Sequence, residues 1–344
     1  MEGRRAHPTI LDVAEAAGVS KSTVSNVIRG SAGISTGTRR RVLDAIAFVG
    51  YRPNAIARNL VRRRTTTVGI VVGDLANPFY SELAKLVEQR LSTIGYTTMI
   101  CNTDGRPESE RARVESLLEH RVAGIIMLQL TGGSGILPEL RAQGVPLVVV
   151  SCWEEESDCV AVDDRRGAGL AVRHLVELGH RRIAYLSSGL VEPKTDTARL
   201  DGYRRALRAG SSGPALRWER PAYLRSDRDL LSELERLLGS AEPPTAFFVS
   251  NDLVAVDVIE ALEQLGERVP EDVSVVGFDD IALAGLARIS LTTVAQPRGR
   301  LAQLGLEILL QRIETGEREP FRRLRLAPRL IVRGSTAPVN SARR

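Results

Sequence analysis

The chain has 344 residues, which is too long for one small domain and suits a small module joined to a larger, two-lobed unit. Its net charge of +5 is unevenly distributed: residues 1–64 hold 12 Lys and Arg against 4 Asp and Glu, whereas residues 65–344 hold 35 against 38. Three cysteines without metal-ligand spacing exclude a disulfide framework and a zinc site, and the lack of a run of roughly 18 apolar residues excludes a membrane span.

The basic excess of the first 64 residues indicates a polyanionic partner that the N-terminal part alone engages. A solvated basic tail is the alternative explanation of the same charge. Residues 1–10 lack the apolar stretch of a signal peptide, so we expect a cytoplasmic protein that does not bind membranes.

Residues 9–50 are predicted to form three short helices. Thr9 followed by Asp12 is typical of a capping box, and Gly18 ends the first helix. Ser20 caps the second helix, and the third extends to Gly50. Apolar residues at helical spacing form the expected inner face: Val13, Ala14, Ala17, Val24, Val27, Ile28, Val42, Ile46 and Val49. The pattern predicts an all-α helix-turn-helix headpiece over residues 1–50.

Residues 51–67 are predicted to link this headpiece to the rest of the chain. Pro53 restarts a short helical stretch from Asn54 to about Val61, and the basic, polar residues 62–67 follow it as a tether. This change of composition marks a domain boundary.

From Val68 onward, apolar strands alternate with amphipathic helices, which is the pattern of parallel sheets covered by helices. Strands are predicted at Val68–Val72, Thr97–Cys101, Gly124–Leu128, Leu147–Val150, Arg182–Leu186, Thr245–Val249 and Val273–Val276. Helices are predicted to begin near Pro78, Pro107, Ile136, Arg165, Thr195, Asp227, Asp252 and Arg298. Because this stretch is too long for one sheet and the pattern restarts near residues 160–165, we expect two similar α/β lobes with a ligand cleft at the carboxyl ends of their strands.

The second helix of the headpiece has a polar outer face opposite its apolar face. That outer face consists of Lys21, Ser22, Ser25 and Asn26. In the major groove, Lys suits guanine and Asn suits adenine. Ser20 and Thr23, with the backbone amides of the helix N-terminus, suit phosphates. A small helical hairpin with a polar face, without any partner, is the purely structural alternative.

Residues 9–30 and 50–58 closely resemble the lactose/galactose repressor (LacI/GalR) family. The resemblance continues through motifs along nearly the whole chain: Asn77-Pro78-Phe79, Gly179-His180-Arg181-Arg182-Ile183, Arg199-Leu200-Asp201-Gly202-Tyr203, Ser250-Asn251-Asp252, Val276-Gly277-Phe278-Asp279-Asp280 and Leu291-Thr292-Thr293-Val294-Ala295-Gln296-Pro297. It implies a periplasmic-binding-protein-like effector domain over residues 68–340, with helices on both faces of its sheets. Lobe 1 would comprise about 68–162 plus 296–322, and lobe 2 about 163–295 plus 323–338.

The resemblance also implies a homodimer on double-stranded DNA, with one recognition helix in each half of a palindromic operator. Lys21, Ser22 and Asn26 occupy the family's reading positions. The stretch 54–61 corresponds to its hinge helix, with Leu60 as a wedge in the minor groove. The expected DNA contacts are Thr9, Ser20, Lys21, Ser22, Thr23, Ser25, Asn26, Asn54, Ala57, Arg58 and Leu60.

The family's effector contacts correspond to residues in both expected lobes. They are Asp74, Phe79, Tyr80, Ser151, Thr195, Arg199, Asn251 and Asp279. Arg199 offers a planar fork of hydrogen-bond donors, and Asp279 can accept from two hydroxyl groups. The aromatic rings can stack on the apolar face of a ligand ring. Together these groups suit a sugar better than a purine. From sequence alone, Arg199 could equally be a surface or salt-bridged residue, and Phe79 and Tyr80 could be core residues. Tyr223 is the candidate for a further aromatic contact.

The sequence contains none of the common catalytic signatures: no G-x-G-x-x-G after the first strand, no P-loop, no G-x-S-x-G elbow and no H-E-x-x-H. Its four histidines are dispersed, and His180 after Gly179 is expected to cap a helix. We therefore expect no enzyme, no cofactor and no metal, but a repressor that a small carbohydrate effector controls allosterically. The alternative is a solute-binding protein of the same two-lobed fold without a regulatory role.

Overall fold

A computed structural model describes residues 8–51, 65–131, 135–187, 193–210, 221–223 and 227–340. The chain divides into two compact units, Met1–Thr65 and Thr66–Arg344. The predicted hinge helix at 54–61, and with it the predicted DNA contacts Asn54, Ala57, Arg58 and Leu60, lies outside the described residues, as does the side chain of Tyr223.

The first unit contains the three predicted helices, α1 (Ile10–Ala17), α2 (Lys21–Arg29) and α3 (Thr36–Val49). Each helix is followed by a glycine in the left-handed conformation, with φ of +63° at Gly18, +74° at Gly30 and +70° at Gly50, which a residue without a Cβ adopts at no steric cost. The Asp12 carboxylate accepts from the backbone N of Thr9 at 2.6 Å, as the capping box predicts. The core consists of Val13, Ala14, Ala17, Val24, Val27, Val42 and Ala45.

The described elements of the second unit follow in chain order. They are β1 (Thr67–Val72), α4 (Pro78–Thr93), β2 (Thr97–Asn102), α5 (Pro107–Glu119), β3 (Gly124–Met127), α6 (Ile136–Ala142), β4 (Leu147–Val150), β5 (Asp158–Val162), α7 (Asp164–Glu177), β6 (Ile183–Ser187), α8 (Pro193–Ala209), β7 (Pro221–Tyr223), α9 (Asp227–Leu238), β8 (Ala246–Val249), α10 (Asp252–Gln264), β9 (Ser274–Asp279), a 3₁₀ turn (Ala282–Gly285), β10 (Thr292–Ala295), α11 (Arg298–Thr315), β11 (Arg323–Leu326) and β12 (Arg329–Ile331).

The strands form two six-stranded sheets, which define two lobes. The first lobe's sheet has the order β11-β5-β4-β3-β1-β2, and the second lobe's sheet has the order β12-β10-β9-β8-β6-β7. Every pair is parallel except β10 with β12, which is antiparallel. The chain passes between the sheets after β5, after β10 and between β11 and β12, so each lobe is assembled from separate stretches of sequence.

Alternate residues of the central strands pack on opposite faces of each sheet, because successive side chains of a strand point to opposite sides. In the first lobe, Ile70 of β1 packs with Leu83 of α4 and Leu309 of α11, whereas Val71 packs with Val114 of α5. In the second lobe, the same alternation separates residues that face α9 and α10 from those that face α7 and α8. Helices therefore cover both faces of each sheet, as the sequence predicts.

Two sequence predictions about the second unit need correction. Residues 323–326 were assigned to lobe 2, but β11 pairs with β5 in the sheet of lobe 1, with Leu324 opposite Val160. The sequence Arg323-Leu324-Arg325-Leu326 alternates basic and apolar residues, as an edge strand with one solvated face does. Strands β5, β7, β10, β11 and β12 are not among the strands that the sequence predicts.

Candidate ligand cavity and nucleic-acid interface

A solvent-open cavity of about 580 Å³ lies at the carboxyl ends of the strands of both lobes. It is lined by Asp74, Asn77, Phe79, Tyr80, Gln129, Ser151, Thr195, Arg199, Asn251, Leu253, Val254, Asp279 and Gln296. All eight predicted effector contacts are among these residues. Five lining residues were not predicted, and three of them, Asn77, Gln129 and Gln296, are polar residues that are more than nine-tenths buried.

Arg199 is held at the base of the cavity by an ion pair within lobe 2. Its Nε donates to Asp164 Oδ1 at 2.8 Å, its Nη1 donates to the carbonyl oxygen of Ser250, and its guanidinium lies 3.7 Å above the ring centroid of Phe278. Burial opposes the charge, but Asp164 and Asp279 outweigh it and raise the pKa of Arg199 above its ordinary value. Arg199 is therefore both a salt-bridged residue and a permanently charged cavity residue.

Asp279 is the last residue of β9 and is 3% exposed. Its Oδ1 accepts from Gln296 Nε2 at 2.6 Å. Burial raises the pKa of the Asp279 carboxyl to about 7, although Arg199 and Gln296 lower it. The cavity thus contains a carboxyl group that changes its charge near neutral pH.

The aromatic pair comes from the first turn of α4. Asn77 caps this helix by accepting from the backbone N of Phe79 at 3.0 Å, and Pro78 occupies its first position. Phe79 and Tyr80 meet edge to face, with ring centroids 5.1 Å apart. Phe79 also belongs to the core of lobe 1, whereas Tyr80 is half-buried. Burial, then Asp279, raises the pKa of Tyr80, so its hydroxyl remains protonated and can donate to a ligand.

The smaller polar residues of the cavity already form hydrogen bonds within the protein. Ser151 donates to the carbonyl oxygen of Leu128. Asn251 caps α10 through its Oδ1, which accepts from Val254 N at 2.9 Å, so the Nδ2 end of its amide stays available as a donor. Asp74 accepts from Ala76 N at 2.8 Å through Oδ1. The cavity therefore presents hydrogen-bond acceptors and donors from both lobes and aromatic faces from lobe 1, as neutral polar ligands require.

The headpiece presents the predicted polar face on α2. Lys21 and Ser22 are exposed and Ser25 and Asn26 are half-buried, whereas Val24 and Val27 point into the core. Ser20 accepts from the backbone N of Thr23 at 3.1 Å, and the hydroxyls of Ser22 and Thr23 lie 2.7 and 2.8 Å from the Ser20 hydroxyl. The Thr9 hydroxyl donates to Asp12 at 2.8 Å. A cation and short polar groups thus line the N-terminal end of α2, where a recognition helix contacts DNA.

His180 has a structural role outside the cavity. Its backbone N donates to Leu175 O at 3.0 Å, as a helix cap does, and its two ring nitrogens lie 2.9 Å from Thr245 Oγ1 and 3.0 Å from Ala337 O. Within the described part of the chain, no cluster of acidic residues, His and Cys could hold a metal ion. In that same part, no helix has the length and apolarity needed to cross a membrane.

Comparisons with known proteins agree along the whole chain. Residues 9–54 match the family "Bacterial regulatory proteins, lacI family", and residues 172–336 match a periplasmic binding protein-like domain. The transcriptional regulator DegA of Bacillus subtilis is 35% identical over 97% of this chain and 99% of its own length. The ribose operon repressor of Escherichia coli is 36% identical over 95% and 99%, and the repressor PurR of Photobacterium profundum is 34% identical over 96% and 99%.

Solved structures show the same similarity. The lac repressor dimer bound to operator and an anti-inducer superposes with a TM-score of 0.83 at 29% identity, covering 96% of this chain and 99% of that chain. The complex of the transcriptional regulator CelR with cellobiose superposes with a TM-score of 0.68 at 34% identity, covering 96% and 100%.

Proposed function

This chain belongs to the LacI family of DNA-binding transcription regulators, which are not enzymes, and on that premise we propose that it represses transcription from a palindromic operator as a homodimer that a neutral sugar controls. The observation that carries the effector part of this proposal is the cavity in which Arg199, Asp279 and the pair Phe79–Tyr80 converge from two lobes. A ligand that prefers one arrangement of the lobes would shift the equilibrium between DNA-binding and released forms.

The headpiece supports specific DNA binding. Its basic excess supplies attraction to phosphates, and the outer face of α2 supplies Lys21 and Asn26 for base edges. A solute-binding protein, the alternative function, would leave this unit without a role.

The exposed edge of the first lobe supports a homodimer. Strand β2 ends the sheet order, and its Ile100 is 45% exposed, while the nearby Ile94 at the end of α4 is 52% exposed. Contact with a second copy would remove these apolar side chains from water. The structure of the lac repressor, which is a dimer on its operator, provides the analogy.

The composition of the cavity favours a sugar over a purine. Asp279 and Asp74 are acceptors, Asn251 and Tyr80 can donate, and such a mixture matches hydroxyl groups, each of which donates and accepts. Relatives of similar identity include the ribose operon repressor and the repressor PurR, and two similar structures hold ribose and cellobiose.

Two measurements test the proposal. Selection from random duplexes with the purified full-length protein should enrich a palindrome with two related half-sites. A thermal-shift screen should show stabilisation by at least one sugar among D-ribose, D-glucose, D-galactose and cellobiose, and none by hypoxanthine or guanine. Enrichment of a non-symmetric site would contradict the homodimer, and stabilisation by a purine alone would contradict the sugar.

A further inference from the structure

A second cavity lies where the chain first crosses between the lobes, after β5. We call it the crossing cavity. Its volume is about 390 Å³, and Thr195 is the only lining residue that it shares with the cavity of Arg199 and Asp279. Lobe 1 contributes Trp153, Val162 and Arg325 to its wall, and lobe 2 contributes Arg165, Lys194 and Ala198. A ligand that fills the crossing cavity therefore touches both lobes.

Three side chains of the crossing cavity are cations, and they differ in how they are neutralised. Arg165 Nε donates to a carboxylate of α8, and Lys194 Nζ donates at 2.7 Å to Glu154 Oε2, which belongs to lobe 1. Arg325 stacks on Trp153 instead, with its Cζ 3.9 Å from the ring centroid. Among the residues that the structure describes, no carboxylate forms an ion pair with Arg325.

The two acidic side chains of the same wall already have partners in lobe 2. Asp163 caps α7 by accepting from Arg166 N at 3.0 Å, and Asp164 accepts from Arg199 Nε at 2.8 Å. Stacking uses the flat face of the Arg325 guanidinium and leaves the N–H groups at its edge for an acceptor. The crossing cavity thus offers a planar fork of charged donors on lobe 1 and the ammonium group of Lys194 on lobe 2.

We propose that the crossing cavity binds a phosphate group, of a small phosphate monoester or of inorganic phosphate, between Arg325 and Lys194. A phosphate monoester carries a charge of about −1.5 to −2 and three acceptor oxygens. Two of these oxygens suit the fork of Arg325, and the third suits an ammonium group that approaches as a point charge. A carboxylate, with one charge and two oxygens, cannot bind both cations in this way.

A phosphate held from both lobes has a regulatory consequence. It stabilises the arrangement of the lobes in which Arg325 and Lys194 are close, and so shifts the equilibrium between arrangements. The crossing cavity would add a second ligand to the control of this regulator. The proposal goes beyond the proposed function and does not depend on which ligand the cavity of Arg199 and Asp279 takes.

The test measures binding to the full-length chain by calorimetry at constant ionic strength. The probes are inorganic phosphate, glycerol 3-phosphate, glycerol and acetate. Arg325→Gln and Lys194→Gln each remove one cation, from lobe 1 and from lobe 2. The matched control is Arg329→Gln, because Arg329 is an exposed arginine of β12 that lines neither cavity.

We expect the wild type to bind at least one phosphate probe, and to bind glycerol and acetate much more weakly. Arg325→Gln and Lys194→Gln should each bind that probe about 5- to 20-fold more weakly, because each loses a charged donor to the phosphate. Arg325→Lys should lie between Arg325→Gln and the wild type, since lysine keeps the charge without the fork. Arg329→Gln should bind like the wild type.

Fluorescence locates the bound phosphate. Trp218→Phe leaves Trp153 as the only tryptophan of the chain. Because Arg325 lies on the Trp153 ring, phosphate binding should change the Trp153 emission with the same midpoint as the calorimetric titration. Equal affinities for the two phosphate probes would assign inorganic phosphate, and tighter binding of glycerol 3-phosphate would assign a monoester.

Four results would overturn the proposal. Absence of binding by both phosphate probes would remove the site, and acetate binding as tight as phosphate binding would replace the ligand class. An equal loss in Arg329→Gln would reduce the effect to general charge attraction. A loss in only one of Arg325→Gln and Lys194→Gln, or unchanged Trp153 emission, would show that phosphate does not bridge the lobes here. Duplex selection and the sugar screen test the proposed function separately.

Discussion

We expect Asp279 to make ligand affinity sensitive to pH. Because burial raises the pKa of its carboxyl to about 7, the group is largely protonated below that pH in the free protein. Hydroxyl groups of a sugar donate to the ionised form, so binding requires release of that proton. Affinity for the best sugar should fall as pH falls below about 7, by up to about tenfold per pH unit, and should level off above it.

Calorimetric titration between pH 5.5 and 8.5 checks this expectation. Asp279→Asn is the control, since asparagine still accepts from Gln296 but does not titrate. Its affinity should be lower and should not vary with pH around 7. A wild-type affinity that is constant across this range would show that the ligand does not depend on the charge of Asp279.

We expect Arg199 to affect stability as well as ligand binding. Removing it would leave Asp164 buried without its cation, and breaking a buried pair from one side typically costs about 3–5 kcal/mol. Arg199→Ala should therefore lower the free energy of unfolding in urea by about that amount, in addition to abolishing the sugar response. Arg199→Lys should recover part of the stability without the planar fork of donors. Equal stability of Arg199→Ala and the wild type would mean that the ion pair contributes nothing.

The cavity shows what sequence can and cannot predict about single residues. The family resemblance predicted eight lining residues, and four of them, Phe79, Arg199, Asn251 and Asp279, lie in the motifs that carry the resemblance. Gln296 lies in one of these motifs, yet nothing in its sequence context indicates that its side chain lines the cavity. Its position beside Asp279 depends on the pairing of β9 with β10, which only the folded chain reveals.

At the scale of elements, Gly202 allows α7 and α8 to pack closely. A Cβ at this position would lie 2.2 Å from the carbonyl oxygen of Arg165, which is backbone and cannot move aside cheaply. Gly202→Ala should destabilise the protein by about 1–3 kcal/mol, as overpacking does. Gly299 of α11 is the matched control because its Cβ would meet nothing within 4 Å, so Gly299→Ala should be neutral or stabilising by up to about 1 kcal/mol. Urea unfolding of both variants distinguishes a packing effect from a general intolerance of alanine.

The proposed hinge helix at 54–61 provides a prediction that depends on sequence alone. About two turns of helix are too short to be stable in isolation, so we expect it to form when two copies meet on the operator. Leu60→Ala should lose on the order of 1–3 kcal/mol of operator affinity together with DNA bending, because the apolar wedge that unstacks the central step is gone. Gel mobility and fluorescence transfer on an operator fragment measure both. Equal bending by mutant and wild type would exclude a wedge, and sugar affinity should not change.

Among the described elements of the second unit, the sequence predicts all eight helices but only seven of the twelve strands. The starts of α4, α5, α6, α9, α10 and α11 coincide with the predicted residues, and Pro, Asn or Asp marks the N-terminus of each of these helices except α6, which follows Gly135. Short strands such as β10 and β11 carry no comparable signal. Whether β11 joins one sheet or the other depends on long-range pairing with β5, which no local pattern encodes.

At the scale of the whole molecule, the uneven charge predicts that salt weakens operator binding much more than sugar binding. The first 64 residues carry the basic excess, so operator binding should release counterions, with a log–log slope of roughly −5 for about six phosphate contacts. Sugar binding, in a unit close to neutral, should change little over the same range. Fluorescence anisotropy and calorimetry from 50 to about 300 mM salt measure the two, and an operator slope near zero would contradict phosphate contacts by the headpiece.

The chain crosses between the lobes three times, and these crossings limit when each lobe can fold during synthesis. Synthesis of residues 66–162 yields five strands of the first sheet, but α11 and β11, which complete that lobe, follow more than a hundred residues later. Until then, side chains such as Ile70 and Leu83 lack their partner Leu309. At 5–20 residues per second, a nascent chain would expose this apolar surface for roughly 10–30 s. The lobes therefore cannot mature one after the other on the ribosome, and a chain whose translation stops before residue 298 would be a substrate for chaperones and proteases.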